Sequence, residues 1–292
     1  MPYTKATSFR AASAFIALVG IMVGITACSK KIAKPVPATP PSPIDFVQAL
    51  QYAQRSALVY ESDAVIRQKA PAGTTVTIMP QTATGVKAYV EIDDAKKQQW
   101  VVVRGTWSLE NMKLDVDYNK VVDARLQVPL HKGFADTALQ AYRFAKPLLK
   151  LGYETRVTGH SLGGAAAVIV LMLLKEDGMT LGQAMTFGQP KVTNRQGVAK
   201  YRSLPLLRFV NDKDPVPLLP PLDVFSLLDE GPFKHFGPEV VLKEGTNYAY
   251  FPDPQVERFS VTSFWNTLGN QQPPDHPIAM YIENLQAKVG PR

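Results

Sequence analysis

The sequence predicts an α/β domain, a mixed but mostly parallel sheet with helices on both faces, on three observations. Short apolar runs at hairpin spacing come first, strand-like and helix-like segments then alternate through the middle of the chain, and the composition is ordinary for a globular protein, 46% hydrophobic and 20% charged. The 292 residues suffice for one large domain or two small ones. No internal repeat is visible, and the single cysteine excludes an intramolecular disulfide or a cysteine-rich zinc site, so stability rests on a buried core.

Residues 1–27 begin with the cationic Lys5 and Arg10 and continue as an uncharged run from Ala11 to Ala27, too short to span a bilayer comfortably. Its end, Ile25-Thr26-Ala27-Cys28, resembles the lipobox of bacterial lipoprotein signal peptides. That resemblance implies cleavage before Cys28, acylation of Cys28 and stable anchoring through several acyl chains. Ser29, where an acidic residue would redirect sorting, implies outer-membrane delivery in a Gram-negative cell. Residues 28–43 read as a linker, since Pro35, Pro37, Pro40, Pro41 and Pro43 fall within nine residues, and in an anchored protein its Lys30, Lys31 and Lys34 are expected to touch anionic lipid. Five of the seven net positive charges lie before residue 44, leaving +2 for residues 44–292, so the basic balance describes a tail and not a nucleic-acid surface.

The globular domain is expected over 44–292. Ser42-Pro43 reads as the cap and first turn of a helix over Ile44–Arg67, with Phe46, Leu50, Ala53, Ala57 and Val65 as its apolar stripe. Val76–Met79, Val86–Ile92 and Trp100–Val103 read as strands, and Val116–Val128 alternates apolar and polar as a further one. A helix is expected over Gly133–Lys150, a strand over Glu154–Thr158, a helix to Leu174, and strands at Ala184–Phe187 and Leu206–Val210.

Gly159-His160-Ser161-Leu162-Gly163 stands between an expected strand and an expected helix, which is the pattern of a nucleophile elbow. There a sharp turn holds the serine in a sparsely allowed conformation with its hydroxyl above the sheet. A helix starting at the serine points its positive end at a developing oxyanion, with the Leu162 N–H as one donor. A serine hydroxyl needs an imidazole base, itself oriented by a carboxylate. Of four histidines, His160 adjoins the nucleophile and reads as packed or lining the pocket, and His131 reads as structural. His235 and His276 both follow an acid near residues 212–214 in the order Ser, Asp, His. His276, in Pro274-Asp275-His276-Pro277 before the last helix, is the preferred base, and His235 is the alternative or a lining residue.

These motifs carry a resemblance. Val103-Arg104-Gly105-Thr106, His131-Lys132-Gly133-Phe134, Thr158–Ala165, Phe187-Gly188-Gln189-Pro190-Lys191-Val192, Val210–Pro217 and Asp275-His276 resemble, in order, the class 3 or fungal-type lipases of the α/β-hydrolase superfamily. The resemblance implies an α/β-hydrolase fold and a carboxylic-ester hydrolase acting on lipid or acyl-ester substrates. It assigns Ser161 as nucleophile, His276 as base and Asp214 over Asp212 as the acid, because the family's aspartate precedes the x-Val-Pro step. It implies Thr106 as the second oxyanion donor and a short lid over residues 107–112, in which Trp107 is an anchor or pocket wall. From Met112 the alternation Met112, Leu114, Val116, Tyr118 reads as a strand, which shortens that lid. The apolar run Pro215–Leu228 reads as an acyl-channel wall or a core loop. No metal-ligand spacing and no phosphate loop appears, so neither metal nor cofactor is expected.

Overall fold

The structure, a computed structural model, describes residues 37–105, 120–220, 231–253 and 275–290. The expectations for the signal segment and Cys28, for Thr106, Trp107 and the lid, and for most of the apolar run after Pro220 lie outside those residues. Residues from Pro35 onward form one unit.

Helix α1 (Phe46–Leu58) is capped by Asp45, whose carboxylate accepts from the Gln48 N–H at 2.8 Å. The expected cap at Ser42 is thus displaced by an acidic side chain that stands three residues from a free amide. The expected single helix is also two: it breaks at Val59–Glu61 and restarts as α2 (Asp63–Lys69) under a Ser62 cap. Strands β1 (Thr75–Ile78), β2 (Ala88–Asp93) and β3 (Gln98–Val103) follow as an antiparallel set. The alternating run expected over Val116–Val128 is, in its described part, a short β4 (Lys120–Val122) and a turn. Asp123 ends the strand by accepting from the Arg125 and Leu126 amides at 2.9 and 2.7 Å, an Asx turn that competes with the ladder.

Next come β5 (Pro129–His131), α3 (Lys132–Ala145), β6 (Glu154–His160), α4 (Leu162–Glu176), β7 (Ala184–Phe187), α5 (Arg195–Tyr201), β8 (Leu206–Asn211), β9 (Glu239–Leu242), β10 (Tyr248–Phe251) and α6 (Ile278–Val289). Among the described residues the main sheet runs β1-β2-β3-β6-β7-β8-β9-β10, parallel from β3 to β9 and antiparallel at both edges. Strand β3 feeds both faces by its period of two: Val101 and Val103 join the core with α3 and α4, while Trp100 and Val102 join that with α1 and α6. Helix α4 is buried from Gly163 through Leu174, so it is apolar all round. Its N-terminus is thereby fixed at the carboxyl ends of β3, β6 and β7, the edge at which open α/β sheets place their sites. No helix among the described residues is long and apolar enough to cross a membrane.

Candidate active site

Ser161 sits between β6 and α4 at φ 59° and ψ −133°, a strained conformation for a residue with a side chain. Its N–H donates to the Phe187 carbonyl at 2.9 Å, tying the turn to the end of β7. Two glycines make the turn possible. A Cβ on Gly159 would run into the Gly163 carbonyl, and one on Gly163 would lie 2.6 Å from the Gly105 nitrogen. The start of α4 therefore packs directly on the backbone leaving β3. As the first residue of α4, Leu162 has an N–H with no acceptor inside the helix, at the positive end of the helix dipole.

His276, just before α6, places Nε2 2.9 Å from Ser161 Oγ and Nδ1 2.8 Å from Asp214 Oδ2. A carboxylate only accepts, so Nδ1 carries the proton and the Nε2 lone pair faces the hydroxyl. Ser161, Asp214 and His276 are 1%, 5% and 5% exposed, a dry setting in which aligned dipoles act strongly. Such an arrangement can deprotonate a serine as it attacks an electrophilic carbon and then return the proton to a leaving group.

The carboxylate is held from three sides. Oδ2 also accepts from the Tyr281 hydroxyl at 2.5 Å, and Oδ1 accepts from the Val216 N–H at 2.9 Å. Burial and the adjacent Asp214 push the Tyr281 phenol well above its ordinary range, so it stays a donor. Asn211, at the end of β8, donates to the Asp275 carbonyl at 2.7 Å and accepts from Asn284 at 2.9 Å, binding the His276 loop and α6 to the sheet. Gly188, at φ +58°, lies under the pair: a Cβ there would stand 2.9 Å from Asp214 Oδ2 and 3.0 Å from His276 Cε1.

The other sequence-derived candidates fall elsewhere. His235 does not reach Ser161; its Nε2 donates to the Pro217 carbonyl at 2.7 Å, so the alternative base is instead a clamp on the segment after Asp214. Lys191 clamps the same segment, its ammonium donating to the Leu218 and Pro220 carbonyls at 2.7 and 3.0 Å. His131 is buried and stacks on Phe134 at 4.0 Å. Asp212 lies in the turn after β8, and it is Asp214 that meets His276. His160 is 5% exposed, its ring 4.7 Å from that of His276, so it lies behind the base and not in a lid. Its Nε2 bonds the His276 carbonyl at 2.7 Å and its Nδ1 the Tyr60 hydroxyl at 3.1 Å. Sequence reasoning missed Tyr60, Gly188, Asn211 and Tyr281. The available signals were the places of Gly188 and Asn211 inside stretches that carry the resemblance, and at Tyr281 a tyrosine whose polar tip falls on an otherwise apolar helix face. No group of three His, Cys, Asp or Glu side chains gathers as a metal site among the described residues.

Known proteins resemble this chain in sequence and in fold. Residues 100–224 match the family Lipase (class 3). A secreted mono- and diacylglycerol lipase 1 of Fusarium solani is 33% identical over 183 residues, 56% of this chain and 50% of that protein. The chain spans about half the length of the curated relatives it matches. The lipase structure from Rhizopus microsporus var. chinensis superposes with a TM-score of 0.62 at 22% identity, covering 79% of this chain and 87% of that one. A triacylglycerol lipase whose catalytic centre is formed by a serine protease triad superposes at 0.58 and 24% identity, covering 82% and 95%. The fold is the α/β-hydrolase fold.

Proposed function

We propose that this chain is a class 3 lipase, a serine hydrolase that cleaves carboxylic esters of acyl chains through an acyl-enzyme, with acylglycerols as its substrates. The observation that carries the reading is the continuous line of hydrogen bonds from Ser161 Oγ through His276 to Asp214, set on a strained elbow. His276 Nε2 takes the Ser161 proton as Oγ attacks the ester carbonyl, and Asp214 steadies the imidazolium. The Leu162 N–H and Thr106 bind the tetrahedral oxyanion, a pair of donors of which either is worth about 10²- to 10³-fold in rate. His276 then protonates the departing alcohol, and a water activated by the same imidazole releases the acid from Ser161. The acylglycerol assignment is supported by relatives named for mono- and diacylglycerols and a fold neighbour named for triacylglycerols. The same reading has Cys28 lipidated after cleavage of residues 1–27, with the Pro-rich 28–43 segment spacing the enzyme from an outer membrane. A Cys28→Ser variant is then expected in the soluble fraction, and its retention on membranes overturns the anchor.

The test is hydrolysis of p-nitrophenyl esters of increasing chain length by the full chain and by Ser161→Ala. The expected result is an optimum at long chains and a loss of about 10⁶-fold in the variant, the scale on which serine-hydrolase triads respond. An optimum at short soluble esters would make the protein a carboxylesterase, and fatty-acid release from phosphatidylcholine but not acylglycerols a phospholipase A1; either overturns the acylglycerol assignment alone. No turnover and no fluorophosphonate adduct on Ser161 would overturn the enzyme reading in favour of an inactive lipid-surface-binding lipoprotein.

A further inference from the structure

His160 has no role in the chemistry proposed above, yet it stands between two parts of the machinery. The break between α1 and α2 exposes Tyr60 to the end of β3, where the Gly105 N–H donates to the Tyr60 hydroxyl at 3.2 Å. That hydroxyl lies 3.1 Å from His160 Nδ1, and His160 Nε2 lies 2.7 Å from the His276 carbonyl oxygen. A carbonyl oxygen has no proton to give, so Nε2 is the protonated nitrogen. In a neutral ring Nδ1 is then a lone pair, and Tyr60 donates its O–H to it. The chain of donors has one direction: Gly105 N–H to Tyr60, Tyr60 O–H to His160, His160 Nε2–H to the His276 carbonyl.

The two ends of that chain matter. Gly105 precedes Thr106, the second oxyanion donor of the proposed function, and Asp275–Pro277, which carries the base, has no regular structure of its own. His160 belongs to β6 and is bonded to Ser161 by the peptide link, so its backbone shares the frame of the nucleophile. We propose that His160 is a positioning residue, a neutral strut of fixed tautomer that locks the backbone of the base His276 to the oxyanion strand through Tyr60 and sets their spacing about Ser161. Burial first, and the adjacent His276 ring second, hold the His160 imidazole well below its ordinary range, which keeps the Nδ1 lone pair available. Burial likewise pushes the Tyr60 phenol up to about 12, so it remains a donor.

The inference rests on the serine-hydrolase reading, and the experiment separates the two. Steady-state kinetics on a p-nitrophenyl ester are measured for the full chain and for Ser161→Ala, His160→Phe, His160→Gln and His160→Asn, with fluorophosphonate titration counting folded sites. His160→Phe keeps the ring and removes both bonds. Glutamine carries an amide N–H to the position of Nε2 and keeps the tie to His276; asparagine keeps an acceptor for Tyr60 and loses that tie. The expected result is a loss of about 10- to 100-fold in kcat for His160→Phe, with KM changed less than about threefold, because a misaimed base costs rate and not ground-state binding. His160→Gln should recover at least about fivefold in kcat over His160→Asn, a rescue that bulk packing does not produce. Activity surviving in Ser161→Ala overturns the parent reading. A dead Ser161→Ala beside a His160→Phe within about threefold of the parent in kcat, or with its loss confined to KM, overturns the strut alone. Should His160→Phe fail to fold, equal kcat values for the glutamine and asparagine variants overturn it.

Discussion

Asp214 Oδ2 takes two hydrogen bonds, from His276 Nδ1 and from Tyr281, and a glycine backbone passes beneath both residues. Each support has a distinct expected effect. Tyr281→Phe removes a buried bond to a charged acceptor, worth about 1.5–3 kcal/mol, and should lower kcat about tenfold or more by letting the imidazole drift. Steady-state kinetics check this, and an unchanged kcat would show that Val216 and His276 suffice to hold the carboxylate. Gly188→Ala combines an unfavourable φ of +58° with contacts at 2.9 and 3.0 Å on the acid and base. Its expected loss is about 10²-fold in kcat, the scale of a misplaced catalytic group, read alongside a melting curve that reports the backbone strain separately. At this scale the chemical residues were legible because Ser161, Asp214 and His276 each lie in a short motif with its own local mechanics. Tyr60, Asn211 and Tyr281 were not, because their role is a meeting of side chains from segments 67 to 100 positions apart that no local pattern encodes.

Strands β8 and β9 carry Arg208 and Glu239 at paired register positions, and the side chains bond at 2.6 Å with almost no exposure. Arg208 Nε and Nη1 find no partner among the described residues, so the guanidinium depends on that one carboxylate. Glu239→Leu is therefore expected to destabilise the protein by about 3–5 kcal/mol in urea melts, and Arg208→Met with Glu239→Leu to recover most of it. A single variant as stable as the parent would mean that the pair is dispensable. The same two strands show what the sequence withheld. Strand β9 is four residues long and starts with a glutamate, so its apolar run is only Val240-Val241-Leu242, too short to read as a strand, and its burial follows from the neighbour β8. Helix α5 is seven residues with Gly197 inside, below the length at which a helical period is readable. By contrast Ala184–Phe187 coincides with the expected strand, since a buried parallel strand between punctuating residues reads clearly. The long helix expected over Ile44–Arg67 divides because Ser62 offers a second cap, and the break delivers Tyr60 to the active-site edge.

Of the buried histidines, His160 and His235 are held below the ordinary imidazole range, and this ties the stability of the molecule to acid. Burial first, then His276, lowers His160; burial first, then Arg208 and Lys191, lowers His235. Around His160 stand Tyr60, His276 and Tyr281, and around His235 stand Arg208 and Lys191. Both folded-state values lie below that of an unfolded histidine, about 6.5, so the unfolded chain binds more protons once the pH falls past that value. The stability they contribute is complete above about pH 6.5 and is lost on acidification, at up to about 1.4 kcal/mol per pH unit for each group. Urea melts between pH 7.5 and 5 should show that slope, reduced by about half in His235→Gln, and a flat profile would mean that both imidazoles are solvated or paired in the fold. Everything proposed here for function converges on one oxygen atom, Ser161 Oγ, and covalent capture tests it most directly. Fluorophosphonate treatment of the full chain in mixed lipid micelles, followed by peptide mass mapping, is expected to give a single adduct on Ser161 and loss of ester hydrolysis in proportion to labelling. Hydrolysis that persists in fully labelled protein, or an adduct on another residue that tracks the loss, would contradict the account.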